Sequence, residues 1–144
     1  MGILDISIII FVIMETLNIG ILYFAPDCKY GNGVAVFDNW EEAKSDENTY
    51  LFARYMACWV AGAKLIFIVL LLVILFTGSE VTKIWGVVAM ILSIVSYFWK
   101  LHPIIRKLDA NGKITPKGYS KALDGMIIGF LVMFSLALVA YFVL

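Results

Sequence analysis

Four long apolar runs, separated by polar connections, dominate the pattern of hydrophobic and polar positions along the chain. They cover residues 3–24, 51–76, 81–99 and 119–144. With about 1.5 Å of rise per helical residue, such runs can cross the hydrocarbon core of a bilayer, which is roughly 30 Å thick. The pattern predicts an all-α membrane protein, a bundle of four transmembrane helices with loops at 25–50 and 100–118 and a tight turn between the second and third spans.

The composition supports a membrane location. Of the 144 residues, 62% are hydrophobic and 15% are charged, whereas soluble domains usually contain about 25% charged residues. The N-terminus lacks the basic region and the small-residue cleavage site of a secretory signal, which indicates that the first apolar run is a retained span. We therefore expect one integral membrane domain over residues 1–144, without a soluble domain.

Basic residues are distributed unevenly between the two sides of the predicted bundle. Nine of the eleven Lys and Arg residues lie in or beside loops 25–50 and 100–118, if Arg54 and Lys121 at the ends of the adjoining spans are included. The opposite side has only Lys83, and Lys64 lies within a span. Because cytoplasmic loops carry an excess of basic residues, both long loops are predicted to be cytoplasmic and both termini outside, in the plasma membrane.

The second predicted span carries Lys64 halfway along its length, where a lysine without a partner is costly. Glu15, near the middle of the first span, is the predicted partner. Counted from Phe24 and Arg54 at the cytoplasmic ends, both charges lie roughly 14–15 Å deep. Asn18, one turn from Glu15, can hydrogen-bond to either. Two interpretations remain open: a buried ion pair that fixes the register of the two helices, and a proton or substrate site.

Glu15 also carries a resemblance to a known family. Small multidrug transporters have four spans, a similar chain length and a glutamate near the middle of the first span, and Glu15 is similar to that residue in position. In this chain the first loop is far longer, and the second span contains Lys64. The resemblance covers a single residue, so we do not transfer the family's function.

Two groups of small residues predict close packing of helices. Ala53, Ala57 and Ala61 recur every four residues along the second span, and Gly125 and Gly129 have the G-x-x-x-G spacing on the fourth. Small residues at this spacing allow neighbouring helices in lipid to approach closely. They could serve packing within the chain, a homo-oligomer or a larger membrane protein complex.

Charged residues near the cytoplasmic boundary suggest further contacts. Arg54 on the second span and Asp124 on the fourth are expected to form an interfacial ion pair. The basic loop 100–118 could bind anionic lipid head groups, although its role in setting the topology already explains its charge. We predict no nucleic-acid binding. We also predict no metal site, because the two cysteines and one histidine have no spacing typical of metal ligands.

Three functions are compatible with these features. The first, which the sequence favours slightly, is a non-catalytic accessory or interaction protein with a polar centre of Glu15, Asn18 and Lys64. The second is a transporter of a small solute, an ion or protons that uses the same residues as its site. The third is an enzyme that acts on a lipid. We expect no enzymatic activity and no cofactor, since the sequence contains neither a nucleophile–base pair nor a glycine-rich phosphate loop.

Overall fold

The computed structural model describes residues 1–30 and 32–143, and within them the chain is helical, without a named strand. The helices are α1 (Ile3–Phe24), α2 (Asp38–Ala43), α3 (Glu47–Thr77), α4 (Glu80–Val95), α5 (Tyr97–Ala110) and α6 (Tyr119–Val143), and a single 3-10 turn covers Val34–Val36. Four helical segments are long and apolar enough to cross a membrane: Ile3–Phe24, Glu47–Thr77, Glu80–Ala110 and Tyr119–Val143. The predicted all-helical fold, with four helices long and apolar enough to cross a membrane, is confirmed. Leu144, the predicted last residue of the fourth span, lies outside the described residues.

The third span differs from its predicted bounds. We expected it to end at Trp99, where the basic segment begins, but α4 is followed directly by α5, which extends to Ala110. Ser96 joins the two helices with a helical backbone (φ −59°, ψ −22°). Tyr97 and Ile105 of α5 are buried, while Arg106 and Lys107 are exposed. The segment is therefore an amphipathic helix, and only the second part of the predicted loop 100–118 is a connection.

The main core lies between α1, α3, α4 and α6. α1 packs against α3 and α6, and α4 also packs against α6. Phe11 is near the centre, with its ring centroid 5.0 Å from that of Phe130, 5.5 Å from that of Phe134 and 6.3 Å from that of Phe67. The pairs with Phe67 and Phe130 are edge-to-face, and such pairs each contribute roughly 0.5–1.5 kcal/mol beyond their buried area. Phe11 thus connects α1 to both α3 and α6.

One end of the bundle is closed by its two long connections, which we call the loop cap (residues 32–38 and 113–115). Phe37 and Ile114 form an antiparallel bridge. The Asp38 N–H donates to the Lys113 carbonyl at 3.1 Å, and the Thr115 N–H donates to the Val36 carbonyl at 2.8 Å. Val36 and Ile114 are buried beneath these bonds with Tyr97, Ile105 and Leu123. The loop cap therefore has its own small core.

At the opposite end of the bundle, an ion pair joins α1 to α4. Lys83 of α4 lies 2.8 Å from Asp5 of α1 and 3.2 Å from Glu80, and both Lys83 and Asp5 are buried. The backbone N–H of Gly2 donates to the other oxygen of Asp5 at 2.8 Å. Sequence analysis had located Lys83 but had not identified its partner, because Asp5 is close to the N-terminus and has no spacing relation to α4.

Candidate functional site

Three polar side chains meet between α1 and α3. Lys64 Nζ lies 2.7 Å from Glu15 Oε2 and donates to Asn18 Oδ1 at 2.6 Å. The Asn18 amide in turn donates to the backbone carbonyl of Asn32 at 3.1 Å. The structure therefore brings together the three residues of the predicted polar centre, and it connects them to the loop cap through Asn32, which sequence analysis had not identified.

These residues lie side by side because of simple helix geometry. Glu15 and Asn18 are three positions apart on α1, so that they share one face of the helix. α3 packs along that face, where Ala57 and Ala61 are almost fully buried. Small side chains at these positions allow the two backbones to come close. The lysine stem of Lys64 can then reach across to α1 at the level of Glu15.

Three cavities surround this polar cluster. The largest, of about 440 Å³, is lined by Glu15 and Lys64 together. A second, of about 240 Å³, is lined by Lys64, and a third, of about 210 Å³, by Glu15 and Asn18. Asn32 of the loop cap lines all three. Both charges consequently border open space, and neither is fully enclosed by side chains.

Most of the wall of the 440 Å³ cavity is apolar. Ile104 and Leu108 of α5 and Met126 and Phe130 of α6 face the side that carries the two charges. The side chains of Glu15 and Lys64 are 17% and 26% exposed, so that a small molecule in the cavity can touch them. The combination of an apolar wall and a few convergent polar groups is typical of sites for small ligands.

The pair of charges retains capacity for further hydrogen bonds. In the described part of the chain, Lys64 is the donor to Glu15, and it contacts Oε2. A carboxylate accepts at both oxygens, and an ammonium group donates three hydrogen bonds, of which Lys64 uses two here. A ligand in the cavity can therefore accept from Lys64 or donate to Glu15 without first breaking their contact.

A second titratable cluster borders the same cavity. The hydroxyl of Tyr97 donates to Asp124 Oδ1 at 2.9 Å, and His102 Nε2 lies 3.2 Å from Asp124 Oδ2. Tyr97 lines the 440 Å³ cavity. Sequence analysis did not identify this cluster, because Tyr97 and His102 could be related to Asp124 only once α5 was known to be a helix packed against α6.

The expected ion pair between Arg54 and Asp124 is not formed. Arg54 instead donates to the backbone carbonyl of Tyr23 at 3.2 Å, while Asp124 is occupied by Tyr97 and His102. The physical reason is position around the helix axes. Arg54 is on the side of α3 that faces the end of α1, whereas Asp124 faces α5. The sequence indicates how deep each residue lies in the membrane, but it does not indicate the direction around the helix axis in which its side chain points.

The two groups of small residues behave differently. Ala57 and Ala61 are buried, and Ala53 lines the second cavity. Gly125 and Gly129 are exposed, and a Cβ atom built on either would have no neighbour within 4 Å. The alanines therefore contribute to packing within the chain, whereas the two glycines leave an open face on α6.

No metal centre or disulfide is found in the described part of the chain. No group of three His, Cys, Asp or Glu side chains is arranged to hold a metal ion among residues 1–30 and 32–143. Cys28 and Cys58 are free and half-buried.

Comparisons with protein-family models, with curated proteins and with solved structures found no match. The geometry of the cavity is thus the basis for a functional proposal.

Proposed function

We propose that the protein is a multi-pass membrane carrier for a small molecule that combines an apolar body with a charged or polar group. The observation that carries this proposal is the cavity of about 440 Å³ with both Glu15 and Lys64 in its wall. Sites for small ligands typically enclose roughly 300–1,000 Å³.

A bound ligand would replace either Glu15 or Lys64 as the partner of the other charge. Ionisable residues inside a membrane often mark the path of an ion or a substrate. A cationic group on the ligand would compete with Lys64 for Glu15, and an anionic group would compete with Glu15 for Lys64. In either case Asn18 would keep a hydrogen bond to Lys64, and the apolar wall formed by α5 and α6 would receive the body of the ligand.

The proposed orientation has both termini outside the cell and the loop cap in the cytoplasm. The excess of Lys and Arg at that end of the bundle supports it, with the plasma membrane as the location. Asn32 and Phe37 of the loop cap line the cavity. In this orientation the loop cap would lie between the bound molecule and the cytoplasm, and the whole chain would act as one non-enzymatic membrane domain.

Cysteine accessibility tests the proposal. The background variant carries Cys28→Ser and Cys58→Ser. A single cysteine is then introduced as Ile105→Cys, at a buried position in the cavity wall, or as Ile68→Cys, at a buried position in the main core. In lipid nanodiscs, a small charged thiol reagent should modify the cysteine at position 105 at least tenfold faster. Equally slow modification of both would mean that the cavity is closed to water, and it would overturn the carrier proposal.

A second candidate is the accessory or interaction protein that the sequence favours, and one observation supports it. Gly125 and Gly129 are exposed, and no atom of the described residues would lie within 4 Å of a Cβ atom built on either, as expected for an interface with another transmembrane helix. If this is their role, Gly125→Leu with Gly129→Leu should shift the purified protein from a larger assembly to a monomer in size-exclusion chromatography with light scattering. An unchanged mass would contradict it.

A further inference from the structure

A separate cavity of about 250 Å³ lies beside the loop cap, where α5 ends and α6 begins. Three cationic side chains line it: Arg106 from α5, Lys117 from the connection and Lys121 from α6. All three are exposed. Among residues 1–30 and 32–143, no carboxylate forms an ion pair with any of them. The cavity therefore brings three positive charges together against the single negative charge of Asp109.

Asp109 also borders this cavity, and its carboxylate oxygens are engaged by neutral hydrogen-bond donors. Its carboxylate is buried and accepts from the backbone N–H of Gly118 at 2.9 Å, from the N–H of Ser120 at 3.0 Å and from the hydroxyl of Ser120. These bonds fix the connection to the end of α5. Gly118 has a φ of +85°, a conformation that glycine adopts without strain, and this turn brings Lys117 and Lys121 to the same cavity as Arg106.

The cavity lies where the surface changes from polar to apolar. On α5, Trp99, Leu101 and Ile104 are exposed and apolar just before Arg106. On α6, the exposed apolar surface that includes Ile128 begins shortly after Lys121. Exposed tryptophan next to basic residues is typical of the membrane–water interface. A ligand in this cavity would therefore be at the depth of the lipid head groups.

We propose that this cavity binds the phosphate of an anionic phospholipid, with Arg106, Lys117 and Lys121 as its ligands. Arg recognises phosphate through two parallel hydrogen bonds, and Lys recognises it as a point charge. A free phosphate ester has the same chemistry. The position beside the exposed apolar surface of α5 and α6 favours the lipid, because its acyl chains would extend along that surface into the membrane.

The test uses the full chain in an uncharged detergent and measures retention of a diacyl phosphatidylglycerol by native mass spectrometry. Arg106→Gln with Lys121→Gln should weaken retention roughly 25-fold, since each basic residue near an anionic lipid contributes roughly fivefold. The matched control, Lys100→Gln with Lys107→Gln, also removes two positive charges, but both are on α5 and neither lines the cavity. It should retain the lipid within about twofold of the wild type.

Three further results would overturn the proposal in whole or in part. Equal loss in both double variants would mean that retention reflects only the overall positive charge. Equal retention of phosphatidylcholine would mean that the lipid's net negative charge is not recognised. Displacement of the lipid by glycerol 3-phosphate or inorganic phosphate at similar concentrations would assign the cavity to a soluble phosphate. Lys117→Gln, a milder change, should weaken retention roughly fivefold and guards against misfolding of the double variant.

Discussion

At the scale of single residues, Asn18 connects the parts of the candidate site. It is largely buried on α1, it accepts from Lys64 at 2.6 Å, and it donates to the carbonyl of Asn32 at 3.1 Å. Lys64 is partly buried, and its ammonium group is stabilised when its protons have acceptors. The single amide of Asn18 contacts both Lys64 and the backbone of Asn32, and so it links the charge pair inside the bundle to the loop cap.

Replacing Asn18 with leucine should therefore destabilise the protein. The substitution removes both hydrogen bonds, one of them to a charged group, and we expect a loss of about 2 kcal/mol in the free energy of unfolding. Asn39→Leu is the control, since Asn39 is exposed, and it should change stability by less than about 0.5 kcal/mol. Denaturant unfolding in mixed micelles would measure both. Similar losses in the two variants would show that Asn18 has no special role.

At the scale of helices, the sequence was informative where apolar runs are uninterrupted. The bounds of α1 were predicted from its apolar run, and counting residues along the first two spans was sufficient to match the depths of Glu15 and Lys64. The extent of α5 was missed, because the basic residues from Lys100 onward were interpreted as part of the loop 100–118. The bridge between Phe37 and Ile114 joins residues far apart in sequence, and no local sequence pattern predicts such a contact.

The short helix α2 provides a prediction of pH dependence. Asp27, just after α1, lies 2.7 Å from Lys44 Nζ and accepts from the Trp40 indole at 2.8 Å. Hydrogen bonds from Lys44 and then from Trp40 lower the pKa of Asp27 below its usual value of 3.8. Because the pKa is lower in the folded state, the contact stabilises α2 fully above pH 3.8 and is lost as the pH falls through the folded-state pKa.

Amide hydrogen exchange in Asp38–Ala43 would test this dependence. After correction for the intrinsic exchange rate, protection should be constant at pH 5–7 (about one unit or more above the usual carboxylate pKa) and should fall below about pH 3.8. Asp27→Asn should reduce protection already at pH 6 and weaken the dependence on acid. If Asp27→Asn matched the wild-type profile at every pH, the ion pair would not hold α2 in place.

At the scale of the whole molecule, the fold is fastened at both ends and open between them. The ion pair of Asp5 and Lys83 joins α1 to α4 at one end, and the loop cap closes the other. The cavities lie between these two regions, around Glu15 and Lys64. This arrangement would let the middle of the bundle accommodate a ligand while its ends maintain the helix packing.

The coupling between Glu15 and Lys64 tests this account most directly. In lipid nanodiscs, Glu15→Gln and Lys64→Met should each lower stability by about 2–3 kcal/mol, because each leaves a charge without its partner in a region of low dielectric constant. The partial exposure of both side chains, 17% and 26%, favours the lower part of that range. The double variant should recover most of the loss, with an interaction energy of about 1–3 kcal/mol between the two positions. Two single variants as stable as the wild type, with additive effects in the double variant, would show that the charges are not paired, and the proposed site would then be incorrect.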